Sequence, residues 1–162
     1  MCASDRRSLG WLDEMPAAPL IRLAGAAKAR EAGQARFRAE GLDRVIGLSP
    51  GAAYGNAKRW WPERFAQSAA RVAAETGAAV ALFGSPSERE LCTHIAGLLT
   101  DAGIDARNHA GQTSLEEYIE RAAACLAYLT NDSGAMHISS ALGVPTVAVF
   151  GATNHITTGP TG

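Results

Sequence analysis

Cysteine is scarce in this chain, and the three present, Cys2, Cys92 and Cys125, are widely spaced with no CxxC pair. That pattern excludes a disulfide framework and a zinc site and favours a reducing compartment. Excess charge is missing as well: 15 Lys and Arg stand against 16 Asp and Glu, a net charge of −1. With no overall basic field, nucleic acid is not an expected partner, and any anion site must be local. No apolar run nears the roughly 18 residues of a membrane helix. At the N-terminus Asp5, Arg6, Arg7, Asp13 and Glu14 interrupt any signal-peptide core. The expected location is the cytoplasm, with work at the inner face of a membrane left open. The sequence also lacks GK[ST], GxGxxG, HExxH, paired His and Cys ligands and a spaced Ser, His and Asp set. No metal, cofactor or triad chemistry is therefore expected.

What is present suits one folded domain. The length is 162 residues at 16.9 kDa, and 47% of residues are hydrophobic. Of these, 33 are alanine, which buries little area, so the core is adequate rather than generous. Residues 1–43 differ from the rest: Pro16 and Pro19 precede Ala24–Glu40, a helix-forming stretch with a poor apolar stripe. This segment reads as a connector rather than a core element.

From Arg44 apolar runs alternate with helical stripes. Val45–Ser49 ends in Pro50 and Gly51, as a buried strand entering a turn would. Pro62 suits a first helical residue, Phe65, Ala69, Val72 and Ala73 form a stripe, and Gly77 ends it. Ala79–Phe83 is a second strand, and Ser87 with Glu90 form a capping box ahead of Leu91, Ile95, Leu98 and Leu99. A short strand is expected around Arg107–Ala110. Ser114 with Glu117 cap the helix carrying Leu115, Ile119, Ala122 and Ala123, and Leu126–Thr130 is the next strand. Asn131–Gly134 opens a helix closed by Gly143 and Pro145, and Thr146–Phe150 is the last apolar run. Such alternation predicts an α/β fold, a doubly wound parallel sheet of Rossmann-like type over residues 44–162. Ligands of such sheets bind beyond the carboxyl ends of the strands.

The loops at those ends carry the candidates. After the first strand, Gly51 and Gly55 permit close backbone approach, and Lys58 precedes a helix start that favours an anion. Lys58 is equally a solvated surface lysine, and Trp60 and Trp61 read as packing of the helix entrance. After the second strand, Glu88 suits ribose hydroxyls, or else complements the helix dipole. In TNDSGAMH, Gly134 lets a ligand approach, Ser133 can cap the helix and offer a hydroxyl, and the following amides suit a diphosphate. Asp132 needs a sugar hydroxyl, a lysine or a metal beside it, or is an N-cap; His137 is otherwise a buried helix histidine.

Taken in order, PGAAYGNAKRWWP, LFGSPSERE, AGQTSLEE and TNDSGAMHISSALGVPTVAVFGAT closely resemble the C-terminal domain of the ADP-heptose:lipopolysaccharide heptosyltransferases. The resemblance covers residues 44–162 and implies one half of a GT-B glycosyltransferase, with residues 16–43 as the connector from an N-terminal domain. It implies that Lys58 binds the diphosphate, although an additional Trp in this loop can shift its aim. Glu88 would contact the ribose, Thr113 would line the adenine pocket, and Asp132, Ser133 and Gly134 would contact heptose and diphosphate. His137 matches the histidine of the same motif. The implied donor is ADP-heptose and the implied acceptor the lipopolysaccharide core, reached through the N-terminal domain. The family places its aspartate base on that domain, so no catalytic residue is expected in this chain. The alternatives are a non-catalytic nucleotide-binding or interaction module and an inactive, self-associating fragment.

Overall fold

A strand buried on both faces must be apolar along its length, and the two central runs of this chain meet that condition. In the computed structural model, which describes residues 21–52, 59–151 and 153–160, they become β1 (Val45–Ser49) and β2 (Ala79–Leu82), both fully buried. The remaining strands are β3 (Ala106–Asn108), β4 (Ala127–Asn131) and β5 (Thr146–Val149). All pair in parallel, in the order β3-β2-β1-β4-β5. The chain steps outward from β1 to β3 and then returns to β4 on the other side of β1. That reversal leaves a crevice between the carboxyl ends of β1 and β4, where such sheets bind ligands.

Helices alternate with the strands: α1 (Ala26–Ala39), α2 (Pro62–Thr76), α3 (Arg89–Asp101), α4 (Leu115–Ala124), α5 (Gly134–Ala141) and a single turn, α6 (His155–Thr158). Because side chains alternate along a strand, each face of the sheet has its own core. Ile46, Leu48, Val80 and Leu82 point to α2 and α3, meeting Phe65, Ala69, Ile95 and Leu99. Val45, Ala79, Ala81, Phe83 and Tyr128 point the other way, to Phe37, Ala122 and Leu142. The alanines in α2 bring helix and sheet close, with Ala66, Ala69 and Ala73 all buried.

Three local expectations shift. Val72 is exposed, and Ala66 takes its place in the buried stripe of α2. Leu115 is 68% exposed, since α4 turns its first turn toward the carboxyl-end crevice rather than the core. The entrance to α3 begins earlier than expected, in a 3-10 turn over Pro86–Glu88. Its capping carboxylate is that of Glu88, not Glu90: Glu88 Oε2 accepts from the Ser85 amide at 2.8 Å and the Ser85 hydroxyl at 2.9 Å. The Ser114 and Glu117 box at α4 forms as expected, with hydrogen bonds of 3.2 and 2.9 Å.

The helix read as a connector also contributes to the core. In α1 Phe37 is buried, and Gly33 lies against the backbone carbonyl of Glu120, where a Cβ would overlap that oxygen. Arg36 bridges Glu120 at 2.6 Å and Glu117 at 3.0 Å, and Arg30 donates to the Ala123 carbonyl at 3.1 Å. The polar surface that masked the helix in the sequence is thus partly a contact surface on α4.

Beside Phe37, the His109 ring stacks on Phe83 at 5.5 Å, and its Nε2 lies 3.6 Å from Glu40 Oε2. Burial holds His109 below its ordinary 6.5; the Arg121 and Arg107 charges act the same way, against Glu40. The unfolded chain therefore takes up this proton at higher pH than the folded one, and stability falls as pH drops below about 6.5. Thermal unfolding between pH 7.5 and 5 should show a smaller loss for His109→Gln than for the parent. An equal loss in both would remove His109 as the cause.

Candidate functional site

At the carboxyl ends of β1, β2 and β4 the structure has a cleft of about 370 Å³. Its walls come from loops that the turn residues shape. Gly51, just after β1, faces Glu88 so closely that a Cβ would overlap Glu88 Oε1. Gly84 after β2 sits against the same carboxylate. Two glycines therefore make room for one acidic side chain, whose Oε2 is held by Ser85 while Oε1 lies over Gly51. Thr113 stands opposite, in the turn before α4, and Ser133 with Gly134 open α5 at a third side.

The entrance to α5 departs from an ordinary cap. Ser133 is the N-cap residue, but its hydroxyl makes no capping hydrogen bond; it lies 3.2 Å from Thr130 Oγ1. The leading amides of α5 thus lack the side-chain partner that caps most helices, at the end where the dipole favours negative charge. Asp132 is not the N-cap. It is buried, and its Oδ2 accepts from Thr153 Oγ1 at 2.6 Å.

Of the seven predicted site residues, Glu88, Thr113, Ser133 and Gly134 line this one cleft. Asp132 adjoins Ser133 but is turned toward Thr153. His137 is exposed on α5 and is not among the lining residues, so it is neither in the cleft wall nor a core histidine. Lys58 lies outside the described residues. Of the two tryptophans, Trp60 packs edge-on to Phe65 at 5.2 Å, whereas Trp61 is 72% exposed.

Sequence reasoning missed the residue that assembles the cleft. Asn131, fully buried at the end of β4, donates to the Pro50 carbonyl at 2.6 Å and accepts from the Trp60 amide at 3.0 Å. One amide side chain thereby holds both ends of the loop after β1 against β4. The signal was a polar pair, Thr130 and Asn131, closing an otherwise apolar run. The described cysteines take no part: Cys92 and Cys125 are free and buried, and burial pushes the Cys92 thiol up to about 12.

Fold and site together define a doubly wound α/β domain with a cleft at the point where the strand order reverses. Residues 13–162 match the family described as glycosyltransferase family 9 (heptosyltransferase). The chain belongs to that family. Lipopolysaccharide heptosyltransferase 2 of Escherichia coli K12 is 44% identical over 108 residues, covering 66% of this chain and 31% of the relative. Lipooligosaccharide heptosyltransferase 2 of Campylobacter jejuni O:6 is 36% identical over 118 residues, covering 72% and 37%. Among solved structures, E. coli ADP-heptose lps heptosyltransferase II superposes with a TM-score of 0.74 at 34% identity, covering 89% of this chain and 44% of that one. A Veillonella parvula glycosyltransferase of family 9 gives 0.71 at 30% identity, covering 82% and 38%. The chain thus spans about a third of the length of the curated relatives it matches.

Proposed function

We propose that this chain is the donor-binding part of a heptosyltransferase that takes heptose from ADP-heptose to the inner core of lipopolysaccharide. The observation that carries the reading is the convergence of Glu88, Thr113, Ser133 and Gly134 on one cleft at the sheet's reversal point. In this reading Glu88 Oε1 accepts from ribose hydroxyls, while Oε2 stays engaged by Ser85 and keeps the carboxylate from swinging away. Thr113 lies against the base. The α5 amides and the Lys58 ammonium stabilise the diphosphate as it leaves and gathers charge. Asp132, steadied by Thr153, accepts from a heptose hydroxyl or pairs with Lys58. In this reading the acceptor site and the base that deprotonates the acceptor hydroxyl belong to the part of the enzyme that this chain does not span. In this reading the work is cytoplasmic, at the inner face of the inner membrane. Among the described residues no helix is long and apolar enough to cross a membrane.

The test is ligand linkage. ADP at a hundred times its Kd adds about 2.7 kcal/mol to folding stability, roughly 5 to 10 °C in Tm for a domain of this size. Lys58→Ala combined with Asp132→Ala should abolish the shift, each sample being compared with its own unliganded Tm. No shift with millimolar ADP in a folded sample would end the donor-site reading.

A further inference from the structure

Two cleft residues come from separate turns: the 3-10 turn Pro86–Glu88 carries Glu88, and the loop between β3 and α4 carries Thr113. One side chain ties these turns together, and the function proposed above gives it no part. Arg89 is the first residue of α3, and its Nη1 donates to the Ala110 carbonyl at 2.9 Å. Gln112 turns its amide oxygen to Arg89, because the atoms facing it there are donors, and accepts from Nη1 at 2.7 Å and Nη2 at 2.5 Å. The guanidinium thus spans the turn that leads into Thr113. Asn108 closes the network from β3: its Nδ2 donates to the Arg89 carbonyl at 3.3 Å, and its Oδ1 accepts from the Ala110 amide at 3.0 Å.

The turn is shaped for close approach. The Gln112 amide donates to the His109 carbonyl at 3.0 Å, and the Gly111 amide to the Gly84 carbonyl at 2.9 Å. Gly111 has a left-handed φ of 68°, and a Cβ on it would lie 2.8 Å from Pro86 Cα. The backbone of one turn therefore rests on the backbone of the other. Arg89 itself runs against the chemistry of helix starts, where the dipole favours negative charge. Two amide oxygens of the loop compensate it, through charge-assisted hydrogen bonds to a planar fork that lysine does not supply. A residue that breaks a local rule for a contact 21 positions away marks a functional constraint.

We infer that Arg89 is a positioning residue for nucleotide recognition: it locks the turn carrying Thr113 onto the turn carrying Glu88 and so sets the spacing between base and ribose contacts. The inference rests on the reading of the cleft as a nucleotide site and adds the element that decides which base fits.

Calorimetric titration of the 162-residue chain with ADP, UDP and pyrophosphate tests it. The parent should bind ADP more tightly than UDP. Arg89→Ala should raise the Kd for ADP about three- to fivefold, the worth of one net hydrogen bond, and narrow the preference over UDP. Pyrophosphate, which has neither base nor ribose, should bind as before, whereas general damage to the fold would weaken all three ligands. Arg89→Lys keeps the charge without the fork and should fall between the parent and Arg89→Ala. Gln112 is exposed, so Gln112→Ala should fold even if Arg89→Ala does not. It should narrow the preference in the parent and change nothing in an Arg89→Ala background. An unchanged preference in these variants, an equal loss for pyrophosphate, or a parent that does not distinguish ADP from UDP would overturn the inference alone. No ADP binding by the parent would overturn the donor-site reading, and this inference with it.

Discussion

Asn131→Ala should lower the stability of this domain by about 3 kcal/mol and remove most of the ADP-dependent rise in Tm. The side chain is fully buried and serves backbone groups of the loop after β1: it donates to the Pro50 carbonyl and accepts from the Trp60 amide. A buried polar group left unpaired costs about 1–3 kcal/mol, and truncation strands two such groups. The loop they belong to carries Gly51 and Ala52, which line the cleft, so the damage reaches the site as well as the fold. Asn131→Asp should be no better. It keeps the shape but replaces the amide donor with an oxygen facing the Pro50 carbonyl. Urea unfolding, with ADP titration at a temperature where each variant is folded, measures both effects. A loss below about 1 kcal/mol would mean that the loop is held by something other than Asn131.

Gly33→Ala should be destabilising by about 1–2 kcal/mol net, although alanine is the better helix former by roughly 1 kcal/mol. In α1 the Gly33 backbone lies on the Glu120 carbonyl of α4, and an added methyl would overlap that oxygen and crowd the Ala124 Cβ, 2.9 Å away. Backbone cannot yield as a flexible side-chain tip can, so the helices must separate, and overpacking of this kind typically costs 1–3 kcal/mol. The interhelical ties from Arg36 and Arg30 would lengthen with them. Gly97 provides the opposite case. It lies in α3 with nothing within 4 Å of a built Cβ, so Gly97→Ala should stabilise by about 0.5–1 kcal/mol. Equal and favourable changes in denaturant midpoint at both sites would show that α1 does not pack on α4 as described.

The two glycines look alike in the sequence, and their difference shows where sequence reasoning stops. Helix interiors, caps and breaks were legible, because a period of 3.6, a Ser with Glu three residues on, or a Gly after the last turn acts through neighbours a few bonds away. So Ser114 with Glu117 caps α4 as its spacing predicts, and Gly77 ends α2. The box read at Ser87 with Glu90 instead forms at Ser85 with Glu88, because a 3-10 turn begun by Pro86 precedes the helix.

Local chemistry by itself determined the alternation of strand and helix, the parallel doubly wound sheet, and the loops at the carboxyl ends of its strands, since those follow from hydrophobic period and turn residues. Tertiary structure alone decided which loop residues share a cleft. Contacts across the sheet, such as Asn131 to Pro50 or Ser49 to Tyr128, join positions about 80 apart in the chain. No periodicity encodes such pairs; they arise because parallel strands place their carboxyl ends on one edge, and because a glycine in one strand leaves the volume that a tyrosine in the next one fills.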